Sequence, residues 1–317
     1  MNVLITGANG FLGYYLCRKL VDAGITVMAT GKGESRLPFQ NDSLFTYRSM
    51  DFTDPFQVDS VFEDFKPDCV VHAGAISRPD FCEQNQMQAY ITNVEGTVSL
   101  LINAAVHQSF FLFVSTDFVF DGNAGPYAEE DVPNPVNYYG RTKMEAEEAV
   151  KDYDYDWAIV RTVLVYGKPM AGRENLLTMV QKSLSEGKAI SIFDDQYRTP
   201  TYVEDLAAAI VSIIQKKATG TWHISGKDLL TPYQMAILTA KHLGLDDSLV
   251  KKIHEGDLVE AAKRPPRTGF IIEKAINHLG YQPVSFMEGL QKTFAKEKNK
   301  NSTSTHHQLI HAALQYI

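Results

Sequence analysis

Short apolar runs alternate with amphipathic stretches through the first half of the chain. Runs at 2–6 (NVLIT), 25–30 (ITVMAT), 43–50 (SLFTYRSM), 68–74 (DCVVHAG), 110–116 (FFLFVST) and 157–162 (WAIVRT) predict strands. Between them apolar residues recur at helical spacing, with Leu12, Leu16 and Leu20 on one face and Val58, Val61, Phe62 and Phe65 on another. Strands and helices alternating at this pitch predict βαβ units, and therefore a parallel sheet with helices on both faces. The handed crossover of such units makes the sheet doubly wound.

After residue 162 the rhythm changes. A loop over 166–175 leads to a helix over about 175–186, a strand at 189–193, a helix at 203–216, a strand at 221–225 and several further helices. Less regular alternation of this kind predicts a smaller lobe over the C-terminal edge of the sheet. The expected division is a main domain over 1–162, to which 189–218 returns, and a substrate-binding lobe over 163–188 and 219–296. The remainder, 297–317, opens on polar residues that suit a linker and closes on HHQLIHAALQYI, which has the apolar spacing of a terminal helix.

Composition narrows the function classes. The chain has 317 residues, 44% hydrophobic and 21% charged, as expected of a globular protein with one large core and an appendage. A net charge of -8 with no basic stripe argues against a nucleic-acid partner. The three cysteines, Cys17, Cys69 and Cys82, follow no zinc spacing, and His307 and His311 lack a third ligand, so no metal site is expected. No apolar run approaches the roughly 18 residues of a membrane span, and no signal peptide precedes the first glycines. These features predict a cytoplasmic protein without a membrane partner, and leave a homodimer possible.

The segment GANGFLG places Gly7, Gly10 and Gly13 directly after the first strand and at the opening of the first helix. A helix N-terminus offers free amides and the positive end of a dipole, and glycine lets a pyrophosphate approach them. The strand–turn–helix context points to a dinucleotide, with Phe11 and Leu12 inside the turn also in the cofactor-binding set. The spacing resembles the extended branch of the short-chain dehydrogenase/reductase superfamily, which implies a Rossmann-type fold. An acid ending the second strand would bind the ribose hydroxyl of NAD. Here the strand ends in Thr30, Gly31 and Lys32, with Arg36 close behind, which favours NADP(H) over NAD(H). The resemblance further implies Asp51 and Phe52 near the adenine, and Ala73, Gly74 and Ala75 beside the nicotinamide ribose.

In NYYGRTK, Tyr139 and Lys143 are four apart and share a helix face, whereas Tyr138 is rotated away. An ammonium near a phenol favours the phenolate and is expected to lower the tyrosine pKa toward the working pH. Upstream, Ser115 and Thr116 end a predicted central strand, where ligands of open α/β sheets bind.

Together STDFVFDG, PYAEEDVPNPVNYYGRTK, RTVLVYG, ENLLTM, DQYRTPTYVEDLA, KRPPRTGF and LGYQPVSFMEGL resemble the dTDP-4-dehydrorhamnose reductase (RmlD) family over nearly the whole chain. The resemblance implies a catalytic trio of Thr116, Tyr139 and Lys143. It also implies NADPH-dependent reduction of the C4 ketone of a nucleotide-linked 4-keto-6-deoxy sugar, as in dTDP-rhamnose biosynthesis. Substrate contacts are expected from Thr116, Asp117, Asn175, Arg198 and Arg264, the arginines as two-pronged phosphate partners. Leu164 stands where the family usually has a tryptophan, which leaves the nucleotide base open, and Arg198 replaces a small residue. Two alternatives stay open: an NAD-dependent sugar-nucleotide epimerase or dehydratase, and a non-catalytic cofactor-binding regulatory subunit like the β subunit of methionine adenosyltransferase.

Overall fold

The computed structural model describes residues 1–39, 41–170, 174–258 and 260–295, so the linker and terminal helix expected over 297–317, with His307 and His311, lie outside the described residues. The first six strands are β1 (Asn2–Thr6), β2 (Thr26–Gly31), β3 (Phe45–Ser49), β4 (Cys69–His72), β5 (Phe110–Thr116) and β6 (Trp157–Thr162). The short strands β7 (Val165–Tyr166), β8 (Ile190–Phe193) and β9 (Thr201–Tyr202) follow, then β10 (Gly220–Ile224) and β11 (Val250–Ile253). Seven of these form one parallel sheet in the order β10-β6-β5-β4-β1-β2-β3. The fold is a Rossmann-type doubly wound α/β sheet, and strand order reverses between β1 and β4, where a crevice opens at the strands' C-terminal ends.

The helices are α1 (Phe11–Asp22), α2 (Pro55–Phe65), α3 (Pro79–Gln84), α4 (Gln86–Tyr90), α5 (Gly96–Val106), α6 (Tyr138–Lys151), α7 (Leu176–Ser185), α8 (Val203–Lys216), α9 (Pro232–Leu243), α10 (Glu273–Leu279) and α11 (Phe286–Phe294). Alternate residues of each central strand feed two cores. Val3, Ile5 and Val27 meet Leu16 and Leu20 of α1 and Ile210 and Ile214 of α8. Leu4, Val70, Phe111 and Phe113 meet Val58 and Phe62 of α2, Leu100 of α5 and Ala146 and Val150 of α6. All four residues of β4 are buried, as a strand covered on both faces requires.

Two placements differ from the sequence expectation. Of the span 189–218, expected to return to the main domain, α8 packs on the main core but β8 pairs with β11 in a separate two-stranded sheet. Ile192 and Val250 pack there with Val180 and Leu184 of α7 and Ala236 and Ala240 of α9. Conversely β10, expected in the smaller lobe, pairs in parallel with β6 as the seventh strand. Trp222 and Ile224 complete the core under α8, whereas β8 turns Ile192 into the smaller core and leaves Ser191 exposed.

Between α4 and α5 the helix widens into a π-turn over Ile91–Glu95. Such bulges often accompany functional sites. This one turns Asn93 inward, where it is buried.

Candidate active site

The chain leaves β1 at Gly7 with φ of +72°, and a Cβ there would stand 2.8 Å from the Ala73 carbonyl oxygen and from Gly74. A Cβ on Gly13 would run into the backbone of Ala8. Both positions therefore require glycine. Gly10 caps α1 without any side chain on its first amides, so that helix end is bare. Phe11 and Leu12 on one side and Ala73 and Ala75 on the other line a cavity of 520 Å³. Gly74 lets the buried Phe52 ring approach, since a Cβ would lie 2.6 Å from its edge.

Beyond β2, Asn9 organises the loop. Its Nδ2 donates to the Glu34 carbonyl at 2.9 Å and its Oδ1 accepts from the Arg36 amide at 2.9 Å. The Arg36 side chain is exposed, while Lys32 pairs with Asp51 at 2.7 Å. Bare amides, a glycine-cleared path and an exposed guanidinium suit an anionic dinucleotide. Ser115 adds a buried hydroxyl without a partner, on the cavity wall.

Thr116, Tyr139 and Lys143 also line this cavity. Asn137 caps α6 by accepting from the Gly140 amide at 2.9 Å, and Gly140 allows the helix to lie against the Phe118 carbonyl. This close approach buries Tyr139 and leaves Tyr138 half-exposed. Burial pushes the Tyr139 phenol above the ordinary tyrosine value, opposed by the neighbouring Thr116 hydroxyl. The expected lowering by Lys143 is absent. The Lys143 Nζ instead donates to the Val114 carbonyl at 2.8 Å and sits 3.7 Å above the Phe113 ring. Lys143 is itself buried, which pushes its ammonium down to about 7. Desolvation outweighs charge attraction at both groups.

Sequence reasoning missed Asn93. Its Oδ1 accepts from the Ile76 amide at 2.8 Å and its Nδ2 donates to the Ile76 carbonyl and to the Thr142 hydroxyl, each at 3.0 Å. It thus ties the segment after Ala75 to α6 beside Lys143. A lone asparagine within a helical stretch carries no signal of this.

The residues expected at the substrate divide into three groups. Asp117 is buried and lines the cavity, accepting from Thr116 at 3.2 Å and from Thr268, with Arg198 at 3.6 Å. Arg198 also lines the cavity, yet its guanidinium donates to the Tyr197 carbonyl at 2.8 Å and the Pro265 carbonyl at 2.7 Å. Arg264 borders the same space and forms a two-pronged pair with Asp80 at 2.9 and 2.7 Å. Asn175 does not line this cavity. It caps α7 in a box with Thr178, and its Nδ2 donates to the Gly167 carbonyl at 2.6 Å. Leu164 lines the cavity with φ of +33°, a strained value for a residue with a Cβ. Among the described residues no cluster of acids, histidines and cysteines is placed to hold a metal, and no helix is long and apolar enough to cross a membrane.

The sheet order, the glycine turn and the Tyr139–Lys143 helix define an extended-branch short-chain dehydrogenase/reductase. More narrowly, the chain belongs to the RmlD family, whose substrate binding domain matches residues 1–299. Methionine adenosyltransferase 2 subunit beta from Bos taurus is 32% identical, covering 92% of this chain and 86% of that protein. The spore coat polysaccharide biosynthesis protein SpsK of Bacillus subtilis is 29% identical, covering 92% and 95%. Among solved structures, dTDP-4-dehydrorhamnose reductase from Bacillus anthracis in complex with NADP is similar with a TM-score of 0.80 at 27% identity, covering 92% and 98%.

Proposed function

We propose that this protein is an NADPH-dependent reductase acting on the C4 ketone of a nucleotide-linked 4-keto-6-deoxy sugar. The observation that carries the reading is the gathering of Thr116, Tyr139 and Lys143 around one cavity, with Tyr139 and Lys143 one turn apart on α6. The N-terminus of α1 would hold the pyrophosphate of a reduced nicotinamide dinucleotide, which would supply the hydride. Tyr139, kept a neutral phenol by its burial, donates the proton to the carbonyl oxygen as that oxygen gains charge. Thr116 steadies the same oxygen, and Lys143 orients the cofactor ribose, so positioning and preorganised charge carry most of the rate.

Cofactor choice rests on Arg36, exposed beyond β2, with Lys32 bridging to Asp51 beside it. No acid ends β2, which favours a 2′-phosphate, and the Bacillus anthracis relative holds NADP. Both oxygens of Asp117 are engaged by Thr116, Thr268 and Arg198, which argues against a dehydratase that uses this acid to expel a hydroxyl.

The test is loss of NADPH absorbance with freshly generated dTDP-4-keto-6-deoxy-L-mannose, beside NADH and beside UDP- and GDP-linked keto sugars. Oxidation with one of these supports the reductase and identifies its nucleotide. A second reading, a cofactor-binding regulatory subunit, draws on the 32% identity to methionine adenosyltransferase 2 subunit beta. It expects NADPH binding without oxidation of any of these sugars, and altered kinetics of a methionine adenosyltransferase on mixing.

A further inference from the structure

One turn past Lys143 on α6, Glu147 is wholly buried and grips Arg161 of β6 with two arms, Nε to Oε1 at 3.0 Å and Nη2 to Oε2 at 2.6 Å. Arg161 is buried too. Its Nη1 lies 3.3 Å from Nε2 of His223 on β10, and its guanidinium rests 5.0 Å over the Phe120 ring. The His223 Nδ1 meets the Tyr127 carbonyl at 3.0 Å, so the row ends on backbone rather than on a further charge. A charge row this deep is a poor source of stability by itself, because desolvation offsets attraction.

Its orientation matters for Lys143. Residues four apart on a helix share a face, so the carboxylate is on the side of the amine, while the guanidinium comes from β6 and runs on toward β10. Lys143 is 2% exposed, and the groups facing it are the Phe113 ring, the Val114 carbonyl, the uncharged His72 of β4, the Tyr139 phenol and Glu147. Asp117, the other carboxylate near the site, is held by Arg198 and Thr268. Among the described residues no acid forms a direct ion pair with Lys143.

We propose that Glu147 is a positioning residue for Lys143: its carboxylate, drawn off direct contact by Arg161, supplies a negative potential that favours the ammonium form of the buried amine. Arg161, backed by neutral His223, sets how much of that potential reaches Lys143. The role deepens the reductase reading, since an ammonium there is what orients the ribose, but its test needs no turnover.

The experiment follows the Lys143 side-chain resonance by NMR in isotope-labelled protein across the neutral pH range, with Lys143→Arg used for assignment. In the wild type the midpoint is expected near about 7. Glu147→Gln should move it down by about one unit or more, and Arg161→Met should move it up, because each removes a charge of opposite sign. Opposite directions are the signature, since a core merely loosened by either change admits water and raises the midpoint in both. An unchanged midpoint in folded Glu147→Gln, or the same direction in both variants, overturns the proposal. Should Glu147→Gln fail to fold, the double Glu147→Met/Arg161→Met, which leaves no buried charge unpaired, decides the matter. A midpoint below wild type supports the role, and one at or above it overturns it. NADPH oxidation by the wild type tests the reductase reading separately.

Discussion

Arg198 faces Asp117 across 3.6 Å, with only 4% and 5% of the two side chains exposed. The pair joins two parts of the chain, because the same guanidinium holds the Pro265 carbonyl at 2.7 Å while Asp117 accepts from Thr116. Arg198→Ala leaves a buried carboxylate without its cation. The expected loss is about 3 to 5 kcal/mol of stability, read from urea unfolding. A substrate-contact role alone would leave the unfolding midpoint nearly unchanged, and that outcome would return Arg198 to the diphosphate.

Removal of the phenol should separate binding from chemistry. Tyr139→Phe keeps the ring packed near Phe118, 5.9 Å between centroids, but removes the proton donor. Turnover should fall by about 10²- to 10⁴-fold with NADPH affinity within about twofold of wild type, measured by single-turnover kinetics and fluorescence titration. Survival of turnover would show that another group donates the proton.

Gly13→Ala tests the phosphate turn. An added Cβ meets the Ala8 backbone, which cannot yield without opening the turn. A cost of about 1 to 3 kcal/mol in stability is expected, together with loss of NADPH binding. Binding at wild-type strength would exclude this helix end as the pyrophosphate site.

The Arg264–Asp80 pair should show in the pH dependence of stability. Its hydrogen bonds hold the Asp80 carboxyl at about 2, below the ordinary 3.8. A depressed folded-state value means that the contribution is complete above about pH 4 and fades as pH falls toward 2. With Asp80 42% exposed, solvent screening limits it to about 1 kcal/mol or less. The difference in urea midpoint between wild type and Asp80→Asn should therefore shrink steadily below pH 4. A difference that stays constant through that window would refute the assignment.

Much of this molecule was legible along the chain. The apolar runs marked β1, β2, β4, β5 and β6, because a strand buried on both faces must be apolar throughout, whereas β3 lies at the sheet edge and is only partly buried. The glycine turn was legible because only glycine fits where two backbones meet, as at Gly7 and Ala73. The spacing of Tyr139 and Lys143 assigned them to one helix face without any knowledge of what the face meets.

Tertiary structure decided the rest. Whether β8 or β10 joins the main sheet depends on which core has room, not on strand propensity. Asn93 acts through a π-turn that joins segments distant in sequence. Arg198 could be recognised as a cation from its residue type, but only the arrival of Pro265 and Asp117 around it determines that the charge is directed inward. The Tyr139 proton equilibrium was misjudged from spacing alone, because spacing sets which charges are neighbours, whereas burial sets how strongly water is lost from each.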